Sequence, residues 1–254
     1  MRRAALALAA ALAGSGPAAA EGIILSLSSR EVAIGSTYAG AELVAFGVIT
    51  RDNQTLSRRG AYDVVVTVRG PPEAPTIRRK ERLGPIWINR AQQKFISVPA
   101  ALGIYSSRPL PEIADARMRS RLRLGVEGFV NSPVITADRG VEDDPFRTAL
   151  LRLKIRDGLY GERTDAVEFV TPEVFRASLQ LAATAPPGAY EVEVTLFAEG
   201  VPITTQRTSF DLVKTGFEER VTSLARDRRV TYGLATAAMA ILFGWIASVI
   251  FRRD

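Results

Sequence analysis

The sequence predicts a mainly β protein: an immunoglobulin-like β-sandwich ectodomain of one or two modules, interrupted by a short helical insertion and followed by one C-terminal transmembrane helix. Three observations predict it. Runs of alternating, β-branched residues recur between Gly and Pro punctuation. After Tyr105 the alternation gives way to helical signals for about fifty residues. From Val230 to Phe251, 22 residues carry no charge.

Taken in order, Arg2 and Arg3 precede an apolar run from Ala4 to Ala13, Gly14 and Pro17 break it, and Ala18, Ala19 and Ala20 offer small residues before Glu21. Residues 1–20 therefore read as a signal peptide cleaved after Ala20, the run being short for a stable anchor. Strands are expected at Ile23 to Leu27, Glu42 to Thr50, Tyr62 to Arg69, Thr76 to Lys80, Ile86 to Asn89 and Lys94 to Val98. Gly70-Pro71-Pro72 stops the third of them, because proline cannot continue a ladder. Strand number and spacing over residues 21–106 suit an immunoglobulin-like sandwich, without the cysteine pair of antibody domains.

Residues 107–162 form a helical and loop connector. Asp115 is placed to cap a helix ending before Gly125, although Arg117 to Leu124 also alternates with a period of two. A clearer helix starts at Asp144-Pro145, carries Phe146, Ala149, Leu150 and Leu153 on one face, shows a basic opposite face, and stops before Gly158. A second β region, 163–215, has strands near Ala166 to Val170, Val174 to Leu181, Tyr190 to Ala198 and Thr204 to Val213, with a Pro186-Pro187-Gly188 turn before the third. A juxtamembrane linker (216–229) leads to the apolar helix (230–251) and a short tail (252–254).

A helix of that length reaches roughly 33 Å at about 1.5 Å per residue, enough for a hydrocarbon core of about 30 Å. Arg226, Arg228 and Arg229 flank one end and Arg252 and Arg253 the other, while Tyr232 and Trp245 suit the aromatic belts. Thr236, Ala240, Gly244 and Ser248 recur every fourth residue, a spacing that lets another helix approach and that alanine-rich segments also produce by chance. The export signal places the bulk of the chain in the periplasm of a bacterial inner-membrane protein with its C-terminus in the cytoplasm. The three outer arginines against two inner ones weakly oppose that orientation.

The chain has no cysteine and no histidine. Disulfide and redox chemistry, Ser-His-Asp and Cys-His nucleophiles and the usual zinc and copper ligand sets are thereby removed. The expectation is a protein that is not an enzyme and carries no cofactor. A net charge of +6, about +4 without Arg2 and Arg3, is dispersed among acids, so nucleic acid is not an expected partner. Glu142, Asp143 and Asp144 lack the ordered spacing of a calcium loop and suit a helix N-terminus instead.

Two clusters are candidate contact sites. Arg78, Arg79, Lys80 and Arg82 surround Glu81, and clustered cations can hold an anion or an acidic partner, or protect an edge strand against pairing. Trp87 beside them is expected in the core or next to a cation. Arg108 follows Tyr105, Ser106 and Ser107 in a polar turn, where ordinary turn chemistry also accounts for the serines.

Several segments carry a resemblance: Phe46-Gly47, Val68-Arg69-Gly70-Pro71, Arg78 to Arg82, Ile86-Trp87-Ile88-Asn89, Tyr105 to Leu110, Gly158-Leu159-Tyr160, Gly244-Trp245 and Phe251-Arg252-Arg253. In this order they resemble an alphaproteobacterial family of transmembrane proteins with one C-terminal span, over essentially the whole mature chain. The resemblance implies an inner-membrane protein with a periplasmic domain, found near sulfite-exporter-like permeases, and supplies no catalytic residues.

The expected function is accordingly a non-catalytic accessory or interaction subunit of a transport or envelope system, contacting membrane lipid, a permease or a second copy through the small-residue helix face. The alternative is a periplasmic module for a small anion, with Arg79, Arg82 and Arg108 converging on one pocket. A glycosidase-like enzyme would need two acids facing one cleft, and no such pair stands out.

Overall fold

Val64-Val65-Val66 in the segment Tyr62–Arg69 is buried on both sides, as a central strand covered on two faces requires. Such a strand cannot show the clean in-and-out alternation of a solvent-facing sheet. The computed structural model describes residues 21–34, 40–50, 61–130, 144–214 and 229–250. The expected signal peptide (1–20), Glu142 and Asp143, the linker 216–228 with Arg226 and Arg228, and the chain end from Phe251, with Arg252 and Arg253, lie outside the described residues.

The described strands are β1 (Gly22–Leu27), β2 (Glu31–Ile34), β3 (Ala41–Thr50), β4 (Tyr62–Arg69), β5 (Pro72–Glu73), β6 (Thr76–Leu83), β7 (Ile86–Lys94), β8 (Val98–Pro99), β9 (Leu102–Ser106), β10 (Tyr160–Arg163), β11 (Val167–Thr171), β12 (Val174–Leu181), β13 (Gly188–Ala198) and β14 (Val201–Lys214). One sheet has the order β1-β3-β12-β11 and the other β10-β9-β4-β13-β14-β2. β5 pairs with β8, and β6 with β7 forms a separate two-stranded ribbon. Pairing is antiparallel except for β10 on β9 and β14 on β2. Strands from the first and second β regions share both sheets, β3 pairing with β12 and β4 with β13.

Between the sheets, Leu43, Ile49, Phe175 and Leu179 meet Val64, Val66, Val194 and Phe210 in one buried cluster. Each such side chain contributes roughly 1.5–3 kcal/mol by leaving water. The opposite face of the larger sheet presents Val65, Leu102, Ile104 and Phe197 to a second cluster, closed by helices α1 (Leu110–Ile113), α2 (Ala116–Leu122), α3 (Val126–Val130) and α4 (Pro145–Arg156). The result is three layers: sheet, sheet and helices.

Side-chain capping starts two of these helices. The Asp115 carboxylate accepts the Met118 amide at 2.7 Å, so the ambiguous Arg117–Leu124 segment begins as helix, ending where Arg123 turns left-handed at φ 54°. Asp144 accepts the Phe146 amide at 2.9 Å, with Pro145 in the first turn of α4. The basic face expected on α4 differs: Arg147 and Lys154 are buried with Leu150, and Lys154 hydrogen-bonds Glu73 and the Ala100 carbonyl. The expected strand Lys94 to Val98 is also interrupted, because Ser97 adopts φ 52° between β7 and β8.

The C-terminal helix α5 (Arg229–Ile250) is present, but the expected transmembrane helix is corrected. Among the described residues no helix is long and apolar enough to cross a membrane.

Candidate functional site

The β6–β7 ribbon is built by its turn. Gly84 sits at φ +60° and Pro85 follows, so glycine takes the first central position of a two-residue turn, as a II′ hairpin demands, and proline's fixed φ fits the second. Leu83 therefore pairs with Ile86, Arg82 with Trp87 and Lys80 with Asn89, and the register shifts between Arg79 and Lys80, leaving Arg90 as the extra residue on β7.

Where this ribbon meets α4, a cavity of about 290 Å³ is lined by Ile77, Arg78, Arg79, Lys80, Pro145, Phe146, Ala149 and Arg152. Four cations thus face one groove with an apolar floor. Arg79 is partly neutralised, its Nε and Nη2 lying 3.0 and 2.6 Å from Glu81 Oε1. Among the described residues, Arg78, Lys80 and Arg152 have no acidic partner. This arrangement can hold an anion by charge-assisted hydrogen bonds, with two or more guanidinium forks available for oxygen pairs.

The expected residues divide. Arg78, Arg79 and Lys80 come together, whereas Arg82 turns back to donate from Nε to the Gly84 carbonyl at 2.9 Å. Arg108 does not line this groove. Its Nε and Nη2 donate to the Asp63 carboxylate at 2.8 and 2.5 Å, and Asp63 is only 5% exposed. Ser107 completes that lock, its hydroxyl 3.1 Å from Asp63 Oδ1 and accepting the Val64 amide. The hydrogen bond and charge of Asp63 push the Arg108 guanidinium pKa further up, so it stays a cation. Tyr105 and Ser106, expected in a turn, end β9 instead; Tyr105 donates to the Gln180 carbonyl of β12 and Ser106 is buried, so this strand end fastens the two sheets together.

Trp87, expected in the core or beside a cation, is 66% exposed. Sequence reasoning missed Arg152 as a member of the groove, although the basic side of its helix was visible. Thr236, Ala240, Gly244 and Ser248 are all exposed on α5, and the Thr236 hydroxyl is satisfied by the Tyr232 and Gly233 carbonyls of its own helix.

A larger cleft of about 830 Å³ opens between the connector helices and β10, with Arg119, Arg163, Glu127 and Glu162 on its walls. Its charges are mixed, and Glu162 is engaged at the N-terminus of α3 by accepting the Val126 amide. Among the described residues no group of three or more His, Cys, Asp or Glu side chains could hold a metal ion.

A family model described as "Putative transmembrane protein (Alph_Pro_TM)" matches residues 22–253. No curated protein matches the chain.

Proposed function

The chain belongs to this Alph_Pro_TM family, and from that premise we propose a non-catalytic, membrane-associated protein whose β-sandwich works by binding. It serves as an accessory or interaction subunit of a transport or envelope system at the bacterial inner membrane, with its sandwich on the periplasmic side. One observation carries this reading. Leu234, Ile241, Phe243 and Trp245 of α5 are 66, 74, 61 and 65% exposed, a run of large apolar side chains that requires lipid or another apolar surface as cover. The sandwich meanwhile fills both of its cores with its own residues. The absence of histidine and cysteine supports a binding role over catalysis.

Crosslinking in intact cells followed by identification of co-purified membrane proteins tests the proposal. Enrichment of one transport or envelope protein, abolished when α5 is removed, is the expected result. Recovery of the full chain in the soluble fraction, free of membrane proteins, would overturn it.

A second reading, a small-anion module, is favoured by the basic groove specifically. Calorimetric titration with sulfate should then give saturable binding that weakens in R152Q, whereas heats indistinguishable from dilution would dispose of it.

A further inference from the structure

The tip of the β6–β7 ribbon joins two properties that the groove alone does not use. Leu83, Ile86 and Trp87 are 57, 57 and 66% exposed, and Pro85 lies between them. The register pairs Leu83 with Ile86 and Arg82 with Trp87. Successive side chains alternate across a ribbon, so the apolar groups occupy both of its faces and the ribbon presents an apolar end, not an apolar side. Behind that end, Arg78, Arg79, Lys80, Arg82, Arg90 and Lys94 face a single acid, Glu81.

We propose that this ribbon docks end-on into the headgroup region of an anionic lipid bilayer, with Leu83, Ile86 and Trp87 inserted and the flanking cations on lipid phosphates. The inference rests on the membrane-associated reading above, which supplies the bilayer. A protein partner would cover one face of the ribbon; an isotropic apolar medium accepts both. Tryptophan favours the interface between hydrocarbon and headgroups, and arginine reaches from an apolar boundary to phosphate along its own stem. Cations placed within a Debye length of anionic lipid are drawn to it, which gives Arg82, Lys80, Arg79 and Arg90, the cations nearest the tip, their partner, while Lys94 pairs with Thr76 at the far end of the ribbon.

The two tryptophans of the chain make the test direct, one in the ribbon and one in α5. In the full-length W245F variant reconstituted with phosphatidylglycerol-containing vesicles, Trp87 emission should shift to the blue and be quenched by brominated lipid. In phosphatidylcholine vesicles, or in anionic vesicles with R78Q/R79Q/K80Q added, that quenching should fall to less than about half. The substituted cations are exposed, and circular dichroism checks that the fold is kept. Unquenched Trp87 while Trp245 of the W87F variant is quenched would overturn the ribbon proposal and leave membrane association standing. If neither is quenched, both fail. Equal quenching in neutral vesicles would overturn the role of the cations, and protection of Trp87 only when a membrane protein is added would assign the tip to protein instead.

Discussion

The ring of Phe175 lies over Gly47, its partner across the β3–β12 ladder. A Cβ at position 47 would come within 2.1 Å of the ring, which is wholly buried between the sheets. One residue without a side chain thus makes room for one of the largest side chains in the core. Gly47→Ala should cost about 1–3 kcal/mol through overpacking, read as a lower urea midpoint at unchanged slope. Shrinking the ring in G47A/F175L should recover part of that loss; strictly additive effects would mean that the two positions do not touch.

Arg108 and Asp63 show how a site-like cation becomes structural. Removing the guanidinium leaves a carboxylate that is 5% exposed and, among the described residues, hydrogen-bonded by the Ser107 hydroxyl alone. Because the Arg108 side chain is itself 51% exposed, screening discounts the pair, and R108Q should cost about 1–2 kcal/mol. Sulfate binding at the ribbon groove should be unchanged in R108Q. Thermal unfolding and calorimetry on the same variant separate the two roles, and lost binding in a stably folded R108Q would return Arg108 to the site.

Glu193 makes stability depend on acid. Burial pushes its carboxyl up, but hydrogen bonds and charge from Arg69 and Arg207 outweigh that and hold it below the usual carboxylate range. Arg69 Nη2 lies 3.2 Å and Arg207 Nε 2.8 Å from its oxygens. A depressed folded-state pKa means that the unfolded chain binds the proton first, so this stabilisation is present above the ordinary value of 4.5 and is lost as pH falls through the folded value. Denaturant midpoints should therefore drop as pH is lowered below about 4.5, with a shallower drop in E193Q. Parallel profiles for the two proteins would remove Glu193 from this role.

Much of the fold was legible because its signals are local. Tyr62–Arg69 and Val174–Leu181 read as strands from β-branched residues and punctuation, and α2 and α4 read as helices from Asp115 and from Asp144-Pro145. β9 escaped notice because Leu102, Ile104, Tyr105 and Ser106 are all buried, which erases the period-two pattern on which strand reading relies. No local feature announces that β4 pairs with β13 more than a hundred residues later. The same limit applied to function. Arg78, Arg79 and Lys80 were visible as a run, but Arg152 joins them only when α4 docks, and Arg108 was drawn away by an aspartate 45 residues upstream. The transmembrane reading rested on charge-free length, and among the described residues no helix meets the length and apolarity that a span requires.

The docking of α4 depends on Lys154, and the two ways of breaking its contacts should not be equivalent. Its Nζ donates to Glu73 Oε1 at 2.5 Å and to the Ala100 carbonyl at 2.9 Å, and lies 5.7 Å from the Tyr160 ring centroid. Burial, followed by the nearby Glu73 charge, raises the Tyr160 hydroxyl pKa, so that ring stays neutral beside the ammonium. Lys154→Met keeps the apolar stem and leaves behind a Glu73 side chain that is 38% exposed and can return to water. Glu73→Gln instead leaves an ammonium whose side chain is 10% exposed without its countercharge, the more costly direction for a buried pair. E73Q should therefore cost about 2–3 kcal/mol and K154M about 1–2 kcal/mol, and E73Q/K154M less than E73Q alone. Chemical denaturation of the three variants checks the order. Since α4 carries Arg152, sulfate binding should weaken in E73Q although Glu73 does not line the groove. A K154M chain less stable than E73Q would show that the carbonyl of Ala100, not the carboxylate, is the contact that holds the helix down.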